Sequence, residues 1–119
     1  GNTAQGIIVA GNALTDACNI SLDASSVDSN TAAGIIYNSA SGPATVVATN
    51  GSSVDGNGWG GIRAGQPAAE FTTSSLAISL TGSTINSNTG EGIAIYGGAS
   101  DFDVTLDSSD ISSNTAEAA

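Results

Sequence analysis

Ile78-Ser-Leu-Thr-Gly-Ser-Thr-Ile-Asn-Ser-Asn88 decides the reading of this chain, because three other stretches lie over it without a gap. They are Ile20-Ser-Leu-Asp-Ala-Ser-Ser-Val-Asp-Ser-Asn30, Val47-Ala-Thr-Asn-Gly-Ser-Ser-Val-Asp-Gly-Asn57 and Val104-Thr-Leu-Asp-Ser-Ser-Asp-Ile-Ser-Ser-Asn114. The closing Asn of the first three is followed by a short turn and a Gly-Ile pair: Gly34-Ile35, Gly61-Ile62 and Gly92-Ile93. Asn2 precedes Gly6-Ile7 in the same way, and Asn114 begins the pattern once more. Self-similarity at a period of roughly 20–50 residues marks a repeat architecture. From Asn30 onward the Asn spacing is 27, 31 and 26 residues. The variation is expected to fall between the Gly-Ile segment and the Val-x-Leu segment, where insertions form loops on one side.

Each repeat carries three short apolar segments, Gly-Ile-x-x, x-Val-x-Leu and Ser-x-Val/Ile. Ile20/Leu22 and Ile93/Ile95 alternate with period 2, the periodicity of a strand. No stretch sustains a 3.6-residue pattern, so crossover helices are not expected. Parallel strands without helices leave a coil in which each strand pairs with its copy one turn on. The chain is therefore expected to be all-β, a right-handed parallel β-helix (β-solenoid) of about four coils with three short strands per coil. Ile20, Leu22, Val27, Ile35, Val47, Val54, Ile62, Ile78, Leu80, Ile85, Ile93, Val104, Leu106 and Ile111 are expected to point inward.

Composition bounds the function. The 119 residues fit one domain, 1–119. Charged residues make up 10%, against about 25% in an ordinary soluble domain. The net charge is −10, with Arg63 the only basic side chain and no His. Such a chain has no basic patch for nucleic acid or for an anionic membrane surface. No apolar run approaches the roughly 18 residues of a membrane span. Cys18 is alone, so it reads as a small, buried apolar residue. The chain opens on Gly1 and not Met, which reads as a processed product or a piece of something longer.

The motif Val/Ile-x-x-Asn-x-x-x-Gly-Ile resembles the right-handed parallel β-helix repeats of the pectin-lyase-like superfamily, over nearly the whole chain. The resemblance implies an Asn ladder at a tight turn, formed by Asn2, Asn30, Asn57, Asn88 and Asn114. Asn tolerates the left-handed backbone of such a corner, and its amide both donates and accepts. Lyases of that superfamily use Arg or Lys as base with Asp-bound calcium, and its hydrolases use clustered Asp. With one Arg, no Lys and no such cluster, no catalytic residue is assigned here and the chain reads as a non-enzyme. No cofactor is expected, although Asp28 and Asp55 lie side by side in successive repeats and are weak candidates for calcium.

The outer segments look like the inner ones. A second copy would continue every row, through Ile7, Val9, Ile20 and Val27 on one side and Ile93, Val104, Leu106, Ile111 and Asn114 on the other. Such a contact is heterologous and does not close, so it builds filaments. The expected function is that of a secreted structural protein whose partner is itself, at the cell surface or outside the cell. One alternative is a stretch of a larger β-helical adhesin or autotransporter-like passenger. Another is a β-helix that binds or processes polysaccharide. Alternation also puts Ile8 and Ile36 outside, and with Trp59 and Tyr96 they are candidates for lateral contacts.

Overall fold

The computed structural model describes residues 2–10, 17–38, 43–64, 73–96 and 99–115. Among them there are eight strands and no helix: β1 (Ile7–Ala10), β2 (Cys18–Asp23), β3 (Ala33–Asn38), β4 (Ala44–Thr49), β5 (Gly60–Ala64), β6 (Thr73–Thr81), β7 (Glu91–Ile95) and β8 (Ala99–Asp107). They form two four-stranded sheets, in the orders β1-β3-β5-β7 and β2-β4-β6-β8. Every pairing is parallel. The chain thus visits the two sheets in turn and advances one position in each with every repeat. No helix of the described residues is long and apolar enough to cross a membrane.

The strands are short, β-branched and alternating, which suits a sheet with one buried face. In the first sheet the inward rows are Ile7–Ile35–Ile62–Ile93 and Val9–Tyr37–Ala64–Ile95. In the second they are Cys18–Ala44–Leu76–Phe102, Ile20–Val46–Ile78–Val104 and Leu22–Ala48–Leu80–Leu106. In the middle repeats these side chains form one buried cluster, with Ile35, Tyr37, Val46, Ile62, Ile78 and Leu80 at most 1% exposed. Tyr37 is fully buried, and its hydroxyl donates to the Thr45 carbonyl at 3.0 Å across the core. Cys18 is half-buried against the cluster and is a free thiol.

The register of β4 departs from the gap-free reading. Ile20 pairs with Val46, not Val47, and Val46 in turn pairs with Ile78. Val47, expected inside, is 37% exposed, whereas Val46 is completely buried. The cause is one extra residue in the corner after β4. Asn50 (φ 56°) and Gly51 (φ 76°) are both left-handed there, where the other repeats hold one such residue: Ala24, Gly82 or Ser108. A shift of one residue exchanges the two faces of a strand.

The third segment is also less regular than expected. It forms a row of isolated parallel bridges, Ser26–Ser53–Thr84–Asp110, and no strand. Left-handed residues bracket it on both sides, Ala24 and Ser29 in the first repeat and Gly82 and Ser87 in the third. Too few extended residues remain between them for a ladder. Its apolar positions still point inward, with Val27, Val54 and Ile85 buried.

Candidate functional site

The Asn row is a continuous hydrogen-bonded column. Asn57 Oδ1 accepts from the Asn30 N–H at 3.0 Å and from Asn30 Nδ2 at 2.9 Å. Asn88 Oδ1 receives the same pair from Asn57, and Asn114 Oδ1 receives it from Asn88. Asn2 joins at the bottom, donating its N–H to Asn30 Oδ1 at 3.0 Å. Three of the amides also donate sideways to a main-chain carbonyl one repeat below, Asn57 to Val27, Asn88 to Val54 and Asn114 to Ile85. Asn30, Asn57 and Asn88 are buried. The left-handed residue at this corner is not the Asn, as expected, but the one before it: Ser29, Gly56, Ser87 or Ser113. The Asn is there for its amide.

Two further rows repeat the logic. Asp28 Oδ1 accepts the Asp55 N–H at 2.8 Å, and Asp55 Oδ1 accepts the Asn86 N–H at 2.7 Å. The second oxygens take the Ser53 and Thr84 hydroxyls at 2.7 and 2.8 Å. Both calcium candidates therefore have each oxygen engaged by the repeat above. Among the described residues no group of three or more Asp, Glu, Cys or His gathers around them. In the third row the Ser25 N–H donates to Ser52 Oγ, and the Ser83 N–H donates to Ser109 Oγ.

The outer layers are where this bonding stops. Upward, Phe102, Val104 and Leu106 are 47%, 39% and 48% exposed although they stand on the inward rows. Ile93, Ile111 and Asn114 beside them are half-buried. Downward, Ile7, Val9 and Ile20 are half-buried, while Leu22 and Val27 are covered. That lower layer opens as a depression of about 460 Å³ whose lining includes Ile7, Leu22, Val27 and Asp28. Phe102 is the apolar side chain of this surface that the sequence reading missed. Among the described residues no strand pairs with the outer edges of β1, β2, β7 or β8.

The lateral candidates divide. Ile8 and Trp59 are exposed, at 52% and 50%. Ile36 is buried, contrary to the expectation from alternation. It shares an outward row with Ile8 below and Arg63 above, so apolar carbon flanks it on both sides. Tyr96 is half-buried, with the Arg63 guanidinium 5.1 Å from its ring centre. No family model, no curated protein and no solved structure matches this chain.

Proposed function

We propose that the chain is a right-handed parallel β-helix of the kind its repeats resemble, and that it serves as an extracellular structural element that stacks head to tail. The observation that carries this reading is the open upper layer, matched below by a lower layer whose Ile7, Val9 and Ile20 are only half-buried. The upper layer presents Phe102, Val104 and Leu106 to solvent, with Ile93 and Ile111 half-buried beside them, in register with the rows of the lower layer. A second copy placed above would cover Phe102, Val104 and Leu106 with the row positions of Cys18, Ile20 and Leu22. The parallel main-chain ladder and the apolar rows would then run on without a break. Exposed apolar surface and open strand edges are what association removes. The scarcity of Arg, Lys and His and the committed state of Asp28 and Asp55 favour a scaffold over an enzyme.

The same surface favours a second reading, because Asn114 starts a further repeat. Additional repeats of one longer surface polypeptide would cover the upper layer equally well. Electron microscopy of the purified 119-residue polypeptide separates the two. Stacking predicts fibres with an axial rise of about 19 Å per copy, four strand spacings of about 4.8 Å. A polypeptide that stays monomeric at high concentration and high salt rules stacking out and leaves the longer surface protein.

A further inference from the structure

The corner after the Asn row carries small residues in most repeats: Ala4, Ala32 and Gly90 at the position where the third repeat has Trp59. The indole is half exposed beside Gly90, where a Cβ would overlap the Trp59 carbonyl. Trp59, Arg63, Gly90, Glu91 and Tyr96 together line a cavity of about 300 Å³. Arg63 reaches it from the outward face of β5, its Nη2 donating to the Tyr96 hydroxyl at 3.0 Å and its guanidinium lying over the Tyr96 ring. This is the only basic side chain of a chain with net charge −10, yet among the described residues it donates to a neutral phenol. Its Nε is buried and has no hydrogen-bond partner among the described residues.

We propose that this cavity binds one ring of a neutral saccharide. The chemistry of the wall selects that class. A half-exposed indole offers a flat π face with negative quadrupole, complementary to the weakly positive C–H face of a pyranose. Sugar hydroxyls need donors and acceptors side by side, and Arg63 supplies only donors while ionised Glu91 supplies only acceptors. The Arg63 fork is held by Tyr96, so little side-chain entropy is lost on binding. The cavity volume lies at the lower edge of small-ligand sites, about 300–1,000 Å³. Polyanions fit less well, because Glu91 stands in the same wall and the whole chain repels them. The site faces outward from the first sheet, so the inference does not rest on the stacking of copies.

Trp59 is the only tryptophan, which makes its emission a direct reporter. The test titrates dilute protein at low salt with three probes: cellohexaose, mannohexaose and hexagalacturonate. The expected result is a blue shift with at least one neutral hexasaccharide, with Kd of order 1 mM, the range expected for one small ring. Calorimetry should then show at least tenfold weaker binding for Trp59→Ala and for Arg63→Met. Tyr96→Phe should weaken it less, since it removes only the anchor of the guanidinium. Far-ultraviolet dichroism checks that the variants keep the native fold, and Glu91→Gln, which exchanges an acceptor of the same lining for a donor, should also weaken binding. A response to hexagalacturonate alone, or to no probe, overturns the proposal. So does an emission shift that follows protein concentration without sugar, which would give the cavity to a second copy of the chain.

Discussion

Asn57 takes two hydrogen bonds from Asn30 on a single side-chain oxygen and passes two of its own to Asn88. Its amide makes a further bond to the Val27 carbonyl at 3.0 Å, and the residue has no exposed surface. Asn57→Ala therefore strands the Asn30 N–H, the Asn30 amide and the Val27 carbonyl inside the protein. Each buried orphan costs about 1–3 kcal/mol. The expected loss is about 3 kcal/mol or more, read from urea midpoints. Asn114→Ala, half-buried with a neighbour only below, should cost about half as much. Equal effects at the two positions would mean that the column is not a buried unit.

Val46 and Val47 separate the observed register from the gap-free one. Val46 is fully buried and Val47 is 37% exposed. Val46→Asp places a carboxylate among Ile20, Ile78 and the inner cluster, and is expected to abolish folding because the charge has no partner there. Val47→Asp should change stability by about 0.5 kcal/mol or less. Soluble expression and the dichroism of the two variants decide the matter, and the reverse pattern would restore the gap-free register.

Much of this was legible in the repeats. The Gly-Ile pair announces the Asn row, because a Cβ at Gly34 would lie 2.8 Å from Asn57 Nδ2 and 2.9 Å from the Gly61 carbonyl. The inward face followed from alternation. The β4 register did not, because Val46 and Val47 are equally apolar and a gap-free alignment assumes corners of constant length. The Asn50-Gly51 pair was the available warning, being a strong turn signal in its own right. Phe102 escaped because β8 begins before the consensus does. The Trp59 cavity depends on two residues 33 positions apart meeting across neighbouring strands. No local pattern encodes that meeting; only the register does.

Tyr37 links stability to alkaline pH. Burial pushes its pKa well above the ordinary value of about 10, and the nearby Cys18 adds to the shift. The folded state therefore holds the phenolic proton more tightly than the unfolded chain does. That contribution is complete below about pH 10 and is lost as pH rises from there through the folded value. Above pH 10 stability should fall about 1.4 kcal/mol per pH unit more steeply in the natural chain than in Tyr37→Phe. At neutral pH the variant should be weaker by about 0.5–1.5 kcal/mol, the bond to the Thr45 carbonyl. Urea midpoints from pH 8 to 11 test this, and parallel curves for the two proteins would contradict it.

Asp107 bears on the proposed joint between copies. It pairs with Thr81, and the offset that sets Ala48 beside Leu80 aligns Thr81 with Thr49, whose partner below is Asp23. Asp107 and Asp23 therefore stand on one outward row, in the upper and lower layers. If copies stack in register, Asp107 meets Asp23 of the next copy at one strand spacing, about 4.8 Å. The neighbouring rows are benign: Thr105 would meet Ser21, and Asp103 would meet Asn19, whose amide can donate to it. One carboxylate pair directly opposed costs about 0.2–1 kcal/mol. Salt should weaken that repulsion, since the Debye length falls from about 10 Å at 0.1 M to about 3 Å at 1 M. Asp107→Asn replaces the repulsion with a donor facing Asp23. It should lower the critical concentration for fibres at low salt about two- to fivefold and flatten the salt dependence. Asp103→Asn, which removes an acceptor from an already favourable pair, should not. Sedimentation across a salt series for the three proteins gives the answer. A critical concentration indifferent to Asp107→Asn would show that the upper layer of one copy does not meet the lower layer of the next in this register.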